Sequence, residues 1–523
     1  MSGAAGKAER ETLTPEEAWR ERFLDIRRPA DGVRVGRIPV EGAERVRQVV
    51  ASVRRVQEGW AGLTPRDRIR RLSALRTLLG RRADEVADRI LAETSRPEGE
   101  ALAEVLSTMR WLRFVERRGP ALLSPRRITP FWFLGRRSWI VREPAGVVGV
   151  IGAGSAPFSL CLEPVFAALA GGNGVVLKPS ARAPFTGDFV RELVEDAGLP
   201  EGLVGVVHGR AATGEALVDA DIDHLHFSGH GRIATEVRRK CAMRGTPVTL
   251  FSGGPGQGIV LPGADPEEVA RGIIHAAFRE GGDRVGALAT VFAVEEEAEA
   301  LERALVRHAE ALRPGAGGEV DVGPLPSAEA VAKLEAIIGD AVGRGARTLT
   351  GGNRVDPASN VFLPTILGDL APGARMLREN VPGPLLGVLR VRDLDGAIQA
   401  ANAVPAPLAA TLWGPDPVQA RAVGARLTAG AVGIGAPPDP LETPALSLGQ
   451  GGWGRMRGEE GLLSFTRSRT VTHRRRHALP PLHGYPYGPT GRRLLRARIG
   501  WEGYRGLRGI VAALIRAFDR EDR

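Results

Sequence analysis

Apolar residues recur every three or four positions between residues 43 and 118. Val46, Val49, Val50 and Val53 form one such stripe, and Ile69, Leu72, Leu75, Leu78 and Leu79 form another. That period predicts amphipathic helices. Thr64-Pro65 reads as a capped helix start, with proline in the first turn. From Trp139 the pattern changes. Short apolar runs at residues 146–151, 174–177 and 205–207 read as buried strands, separated by helical stretches at 158–170 and 185–196. Strands alternating with helices predict a parallel, doubly wound sheet. The alternation restarts at Gly258-Ile259-Val260-Leu261, so a second α/β domain is expected.

Composition adds little to the body of the chain and much to its end. Of 523 residues, 43% are hydrophobic and 25% charged, as in ordinary globular proteins. The net charge of +10 lies wholly in residues 467–523, where 14 Arg face Glu502, Asp519, Glu521 and Asp522. The rest of the chain is balanced, which argues against a broad nucleic-acid surface. Two cysteines, Cys161 and Cys241, exclude a disulfide framework and a cysteine-based zinc site, and fit a reducing, cytoplasmic setting. No secretory leader is expected in the first residues, and no run reaches the length of a membrane span. Four Lys occur in an Arg-dominated chain, Lys7, Lys178, Lys240 and Lys333.

A series of short motifs then narrows the picture. Residues 146–151 followed by Pro157, Leu177-Lys178-Pro179-Ser180, the turn at 197–202, Phe227-Ser228-Gly229-His230, Ser252-Gly253-Gly254, Gly383-Pro384 and Gly452-Trp453-Gly454-Arg455 with Gly458 and Gly461 occur in that order. From about residue 40 to 471 the chain resembles the aldehyde dehydrogenase superfamily. The resemblance implies an α/β fold with two doubly wound Rossmann-like domains, a small β oligomerisation element and, beyond it, a basic helical tail. The implied domains are 1–250, helical and then dinucleotide-binding-like, interrupted by a strand near 135–144. A catalytic-like domain at 251–445 follows, then a return segment at 446–477 and an extension at 478–523.

In that family a thiolate attacks the aldehyde, preorganised donors hold the oxyanion, hydride passes to a nicotinamide, and a Glu activates water. Matched residue by residue, this chain has Val285 at the nucleophile, Phe251 at the general base and Ser155 at the oxyanion Asn, with Gly154 beside it. Asn380 and Pro382 replace the Glu and Phe of the nicotinamide side. No catalytic residue is therefore expected to be retained. No Cys lies beyond Cys241, so no shift of register restores the thiol. Cys161 and Cys241 read as small buried residues. Glu280 and Asp283 read as solvated or paired with Arg279 or Arg284.

The resemblance implies a cofactor site at Lys178, Ser180, Gly229, His230 and Ile233, with Lys178 reaching the adenosine ribose and a helix N-terminus facing the pyrophosphate. Ala181 replaces a carboxylate there, so either NAD or NADP is admissible, bound weakly or without catalysis. His224, His226 and His230 are candidate metal ligands by residue type, but no Cys completes the set and no metal is expected.

After Val471 the chain carries Arg474-Arg475-Arg476, Pro480-Pro481 and all three tyrosines, Tyr485, Tyr487 and Tyr504. Leu507, Ile510, Val511, Leu514, Ile515 and Phe518 form an apolar stripe at helical spacing. That helix packs on the protein itself or meets an anionic membrane surface. Segments 137–142 and 469–473 read as strands whose edges need covering. A homo-oligomer is expected, or a hetero-oligomer with an active relative. The expected function is that of a pseudoenzyme with a scaffolding, regulatory or ligand-binding role. The alternatives are an active oxidoreductase with an unrecognised nucleophile and a membrane-surface protein acting through its tail.

Overall fold

The computed structural model describes residues 22–128, 136–252, 254–317, 319–405, 407–438, 445–447, 452–474, 485, 488–503, 509, 511 and 515. They fall into two compact units. The first holds the described residues of Met1–Ser124 and Arg142–Arg467, and the second those of Pro125–Val141 and Ser468–Arg523.

The first unit opens with an antiparallel hairpin, Phe23–Arg27 with Arg34–Pro39. Four helices follow: α1 (Ala43–Ala61), α2 (Pro65–Arg81), α3 (Ala83–Thr94) and α4 (Glu98–Leu122). The predicted stripe of α1 is its buried face, Val46, Val49, Val50 and Val53. Thr64 caps α2, its hydroxyl accepting from the Asp67 N–H at 3.2 Å, with Pro65 in the first turn.

A five-stranded sheet comes next, built from β1 (Val147–Ile151), β2 (Gly174–Lys178), β3 (Val204–Val206), β4 (His224–Ser228) and β5 (Val248–Phe251). Its order is β3-β2-β1-β4-β5, and every pairing is parallel. The helices α5 (Ser159–Gly171), α6 (Pro184–Asp196), α7 (Ala211–Val218) and α8 (Gly231–Arg244) connect the strands. All residues of α5 are buried, which explains why its sequence is apolar on every side. Strand order reverses between β1 and β4. In a doubly wound sheet the crevice beyond the strand ends at that point is where ligands bind.

The second sheet contains β6 (Gly256–Val260), β7 (Leu288–Val294), β8 (Arg347–Thr350), β9 (Thr365–Gly368), β10 (Leu385–Val391), β11 (Ala409–Trp413) and β12 (Ala431–Ile434). Its order is β8-β9-β10-β7-β6-β11-β12. Only β8 runs antiparallel to its neighbour.

A three-stranded sheet joins Thr466–Arg474, Arg136–Pro144 and Arg126–Arg127, in that order. The segment 137–142, expected to need covering, is therefore flanked on both sides within the chain. In the second unit a helix spans Pro489–Gly503, and Val511 and Ile515 are exposed. Leu507, Ile510, Leu514, Phe518, Arg475, Arg476, Pro480, Pro481, Tyr487 and Tyr504 lie outside the described residues, as does Gly253. Among the described residues no helix is long and apolar enough to cross a membrane.

Candidate functional site

At the switch point the ends of β1, β2 and β4 open into a cavity of about 1100 Å³, lined also by residues 282–289 and by Asn380, Val381, Gly383 and Leu385. It brings together Lys178, Ser180, Gly229, His230 and Ile233 with Ser155, Val285 and Asn380. Phe251 does not line it, and neither does Pro382, which is buried.

At the β2 end, Lys178 is 6% exposed. Its ammonium donates to the Pro179 carbonyl at 3.0 Å, and burial pushes it down to about 8. The Ser180 hydroxyl accepts from the Arg182 N–H at 3.2 Å. At the β4 end, a Cβ on Gly229 would lie 2.8 Å from the Phe227 ring, so a side chain there would force a shift. His230 is the N-cap of α8, and Ile233 on its first turn is exposed. The Asn380 amide donates to His230 Nδ1 at 3.2 Å. Burial lowers the pKa of His230, and Arg182 and Lys333 lower it further while Asp283 opposes them. Lys333 in turn donates to the Asn380 carbonyl at 2.9 Å.

The segment carrying Val285 begins with a tight turn, Arg279–Gly282. Glu280, Gly281 and Gly282 all have positive φ, at 56°, 62° and 73°. A Cβ at Gly282 would sit 2.3 Å from the Gly383 carbonyl oxygen, so only glycine lets the two backbones meet. Val285 is half-buried and packs against Leu160, Phe251, Leu408 and Met456. A smaller cavity of about 60 Å³ lies beside this patch, walled by Ser155, Phe251, Arg284 and Val285 together with Glu104, Glu163, Glu280 and Arg457. Glu280 pairs with Arg279 at 3.2 Å, as expected. Asp283 differs from expectation, pairing with Arg182 at 3.4 Å rather than with a neighbour in sequence. Neither carboxylate is solvated: Glu280 is 9% exposed, and the Asp283 side chain is 15% exposed.

Sequence reasoning missed the charges beneath this end. Arg96 donates to the Ser155 carbonyl and meets Glu104 at 3.5 Å. Glu104 accepts from the N–H groups of Phe158 and Ser159 at 2.9 and 2.8 Å, satisfying the start of α5. Glu100 accepts from the Glu280 N–H. Burial pushes Glu100 and Glu104 up to about 7, against the opposing pull of Arg96. Arg457 donates to Glu163 at 2.8 Å and to the Ser107 hydroxyl at 2.8 Å. These carboxylates hold the two segments that carry Ser155 and Val285. One signal was available: Glu100 and Glu104 are four apart on α4, which places them on one helical face.

Both thiols lie elsewhere. Cys161, on α5, is 0% exposed under Gly152, and burial pushes it up to about 12. Cys241 is 0% exposed and pushed up to about 11, again by burial. His224 contacts the Thr249 hydroxyl and His226 the Ser228 hydroxyl, each at 3.1 Å. Burial lowers the two rings to about 4 and about 3, so both are neutral. Among the described residues no cluster of His, Cys, Asp or Glu could hold a metal ion.

Fold and crevice together define an α/β protein with two Rossmann-like, mainly parallel sheets. The sequence matches the aldehyde dehydrogenase family over residues 15–471, and the chain belongs to that family. It is 31% identical over 470 residues to a 4,4'-diapolycopene aldehyde oxidase from Methylomonas, covering 88% of each chain. It is 29% identical over 415 residues to a succinate-semialdehyde dehydrogenase (NADP(+)) of Escherichia coli, covering 79% of this chain and 86% of that one. Among solved structures it is similar to the NADP-dependent glyceraldehyde-3-phosphate dehydrogenase of Bacillus halodurans complexed with NADP. There the TM-score is 0.81 and the identity 29%, over 86% of this chain and 96% of that one. An aldehyde dehydrogenase of Mycobacterium tuberculosis complexed with NAD+ gives a TM-score of 0.82 at 26% identity, over 88% and 95% of the two chains.

Proposed function

We propose that this chain is a nucleotide-binding member of the aldehyde dehydrogenase family that does not oxidise aldehydes through a thiol, its fold serving assembly, regulation or ligand binding. The observation that carries this reading is the position of the sulfur atoms. Neither Cys161 nor Cys241 lines a cavity, and Val285 stands in an apolar cluster with Phe251. The thiolate is the attacking species, and burial holds Cys161 up to about 12. Phe251 has no lone pair with which to take a proton from water.

Lys178, Ser180, Gly229, His230 and Ile233 are the residues proposed to hold NAD or NADP. The chemistry of the wall fits such a ligand. Lys178 has one acceptor among the described residues, Pro179, which leaves ammonium donors for ribose hydroxyls. Ala181 offers no carboxylate to repel a 2'-phosphate, so NADP fits as well as NAD. A bound nicotinamide would supply a hydride acceptor, while Val285 and Asn380 at that end supply neither nucleophile nor base. Assembly as a homo-oligomer, or with an active relative, belongs to the same proposal.

Titration calorimetry with NAD and NADP, paired with the absorbance of reduced nicotinamide across a broad aldehyde panel, tests the reading. Binding without turnover is expected. Turnover by the purified chain that disappears in Cys161→Ala would overturn it.

A further inference from the structure

We propose that Lys178 is a carbonyl-capturing amine, forming a reversible Schiff base with small aldehydes that carry a phosphate or a carboxylate. This goes beyond nucleotide binding and does not require it.

Three observations converge on this residue. First, Lys178 lines the large cavity yet is 6% exposed, so its amine meets molecules that enter the cavity more than bulk water. Second, no carboxylate holds it. Its only hydrogen-bond acceptor among the described residues is the Pro179 carbonyl. Lys240, on the same wall, is by contrast tied to Glu215 at 3.2 Å. A lysine without an anionic partner in a dry setting is the kind that serves as a nucleophile. Burial pushes it down to about 8, which leaves roughly a tenth of the amine neutral at pH 7. Third, the wall selects for anions. Its three carboxylates are each tied to a cation: Glu215 to Lys240, Glu236 to Arg239 and Asp283 to Arg182. Arg210 and Arg232 line the same cavity, and no acidic partner for either is found among the described residues. The uncompensated charge is positive, so an anionic group on the aldehyde is attracted.

The chemistry balances without an oxidant. The neutral amine's lone pair adds to the carbonyl carbon, and the oxygen takes a proton to give a carbinolamine. Loss of that oxygen as water leaves the C=N bond. Addition of water reverses the sequence and releases the aldehyde unchanged.

The scarcity of lysine makes the test clean, because only Lys7, Lys240, Lys333 and the N-terminal amine compete with Lys178. The full chain is incubated with pyridoxal 5'-phosphate, with glyoxylate and, as the arm without an anionic group, with pyridoxal. Each adduct is fixed with borohydride and mapped by peptide mass spectrometry. The expected result is one dominant adduct at Lys178, at least fivefold favoured over every other lysine. Both anionic aldehydes should label it faster than pyridoxal, and labelling should decline as pH falls below about 8. Lys178→Arg should abolish the adduct while its circular dichroism and melting profile stay those of the unmodified chain. Even labelling of all lysines, labelling unchanged in Lys178→Arg, or no adduct at all would overturn the proposal. So would equal rates with pyridoxal. Labelling is measured without nucleotide, so failure of NAD or NADP to bind leaves this test intact.

Discussion

The two ends of the large cavity differ in one respect that organises the rest. At the end beneath β2 and β4, polar groups face the cavity with unused hydrogen-bonding capacity, as at Lys178. At the other end Val285 packs on a buried apolar cluster that includes Phe251 and Leu160, and a set of buried charges lies behind it. There Arg96, Glu104, Glu163 and Arg457 are each less than 10% exposed. Polarity at the first end faces the cavity. Polarity at the second faces the protein and positions backbone. Lining a cavity and holding its walls in place thus fall to different residues.

Breaking that scaffold should give the largest effect. Glu163 and Arg457 have side chains 1% and 4% exposed. Glu163→Ala removes the carboxylate partner and leaves the guanidinium buried, still donating to the Ser107 hydroxyl. Loss of one partner of such a pair costs about 3–5 kcal/mol. Urea denaturation of the variant should show an unfolding free energy lowered by that amount, seen as a lower midpoint at an unchanged slope. A loss under about 1 kcal/mol would mean that the pair does not hold this end together.

Much of this contrast was legible in the chain before any coordinates. The buried strands at 146–151 and 174–177 declared themselves as unbroken apolar runs, and Thr64-Pro65 marked a real cap. Val285 and Phe251 stood out because their side chains cannot do the chemistry that their places in the motif order require. The buried charges were not legible for a physical reason. Glu163 and Arg457 are 294 positions apart, and a charged residue in a helical stretch ordinarily reads as a solvated one. Only the four-residue spacing of Glu100 and Glu104 hinted at a shared face. The partner of Asp283 was missed similarly, because the left-handed run through Glu280, Gly281 and Gly282 breaks the local geometry that would pair neighbours.

An intermediate effect is expected from pH. Glu104 lies in the fold at about 7, above the ordinary carboxylate value near 4.3 in the unfolded chain. Between those values the folded state binds more protons, so stability is full below about pH 4 and falls as pH rises through 7. The groups facing Glu104 are Arg96 and the N–H groups of Phe158 and Ser159, with the charge of Glu280 nearby. Glu104→Gln keeps an oxygen for those donors and removes the titration. The stability difference between the wild-type chain and this variant, measured by denaturant melts at pH 5 and pH 8, should therefore shift by about 1–3 kcal/mol in the variant's favour at the higher pH. A difference that does not change with pH would remove Glu104 as the titrating group.

The smallest effect belongs to the ion pair that crosses the open cavity, Arg182 with Asp283. Its partners stand 3.4 Å apart with side chains 41% and 15% exposed, and water screens what the Glu163–Arg457 pair feels in full. An exposed pair of this kind contributes about 0.2–1 kcal/mol. Arg182→Ala should lower stability by no more than that, and added salt should shrink the loss further. The comparison with Glu163→Ala then isolates burial, since both variants remove one partner of an arginine–carboxylate contact. A loss from Arg182→Ala as large as that from Glu163→Ala, and indifferent to salt, would mean that the end beneath β2 and β4 is structural in the same sense as the other and that the contrast between the two does not hold.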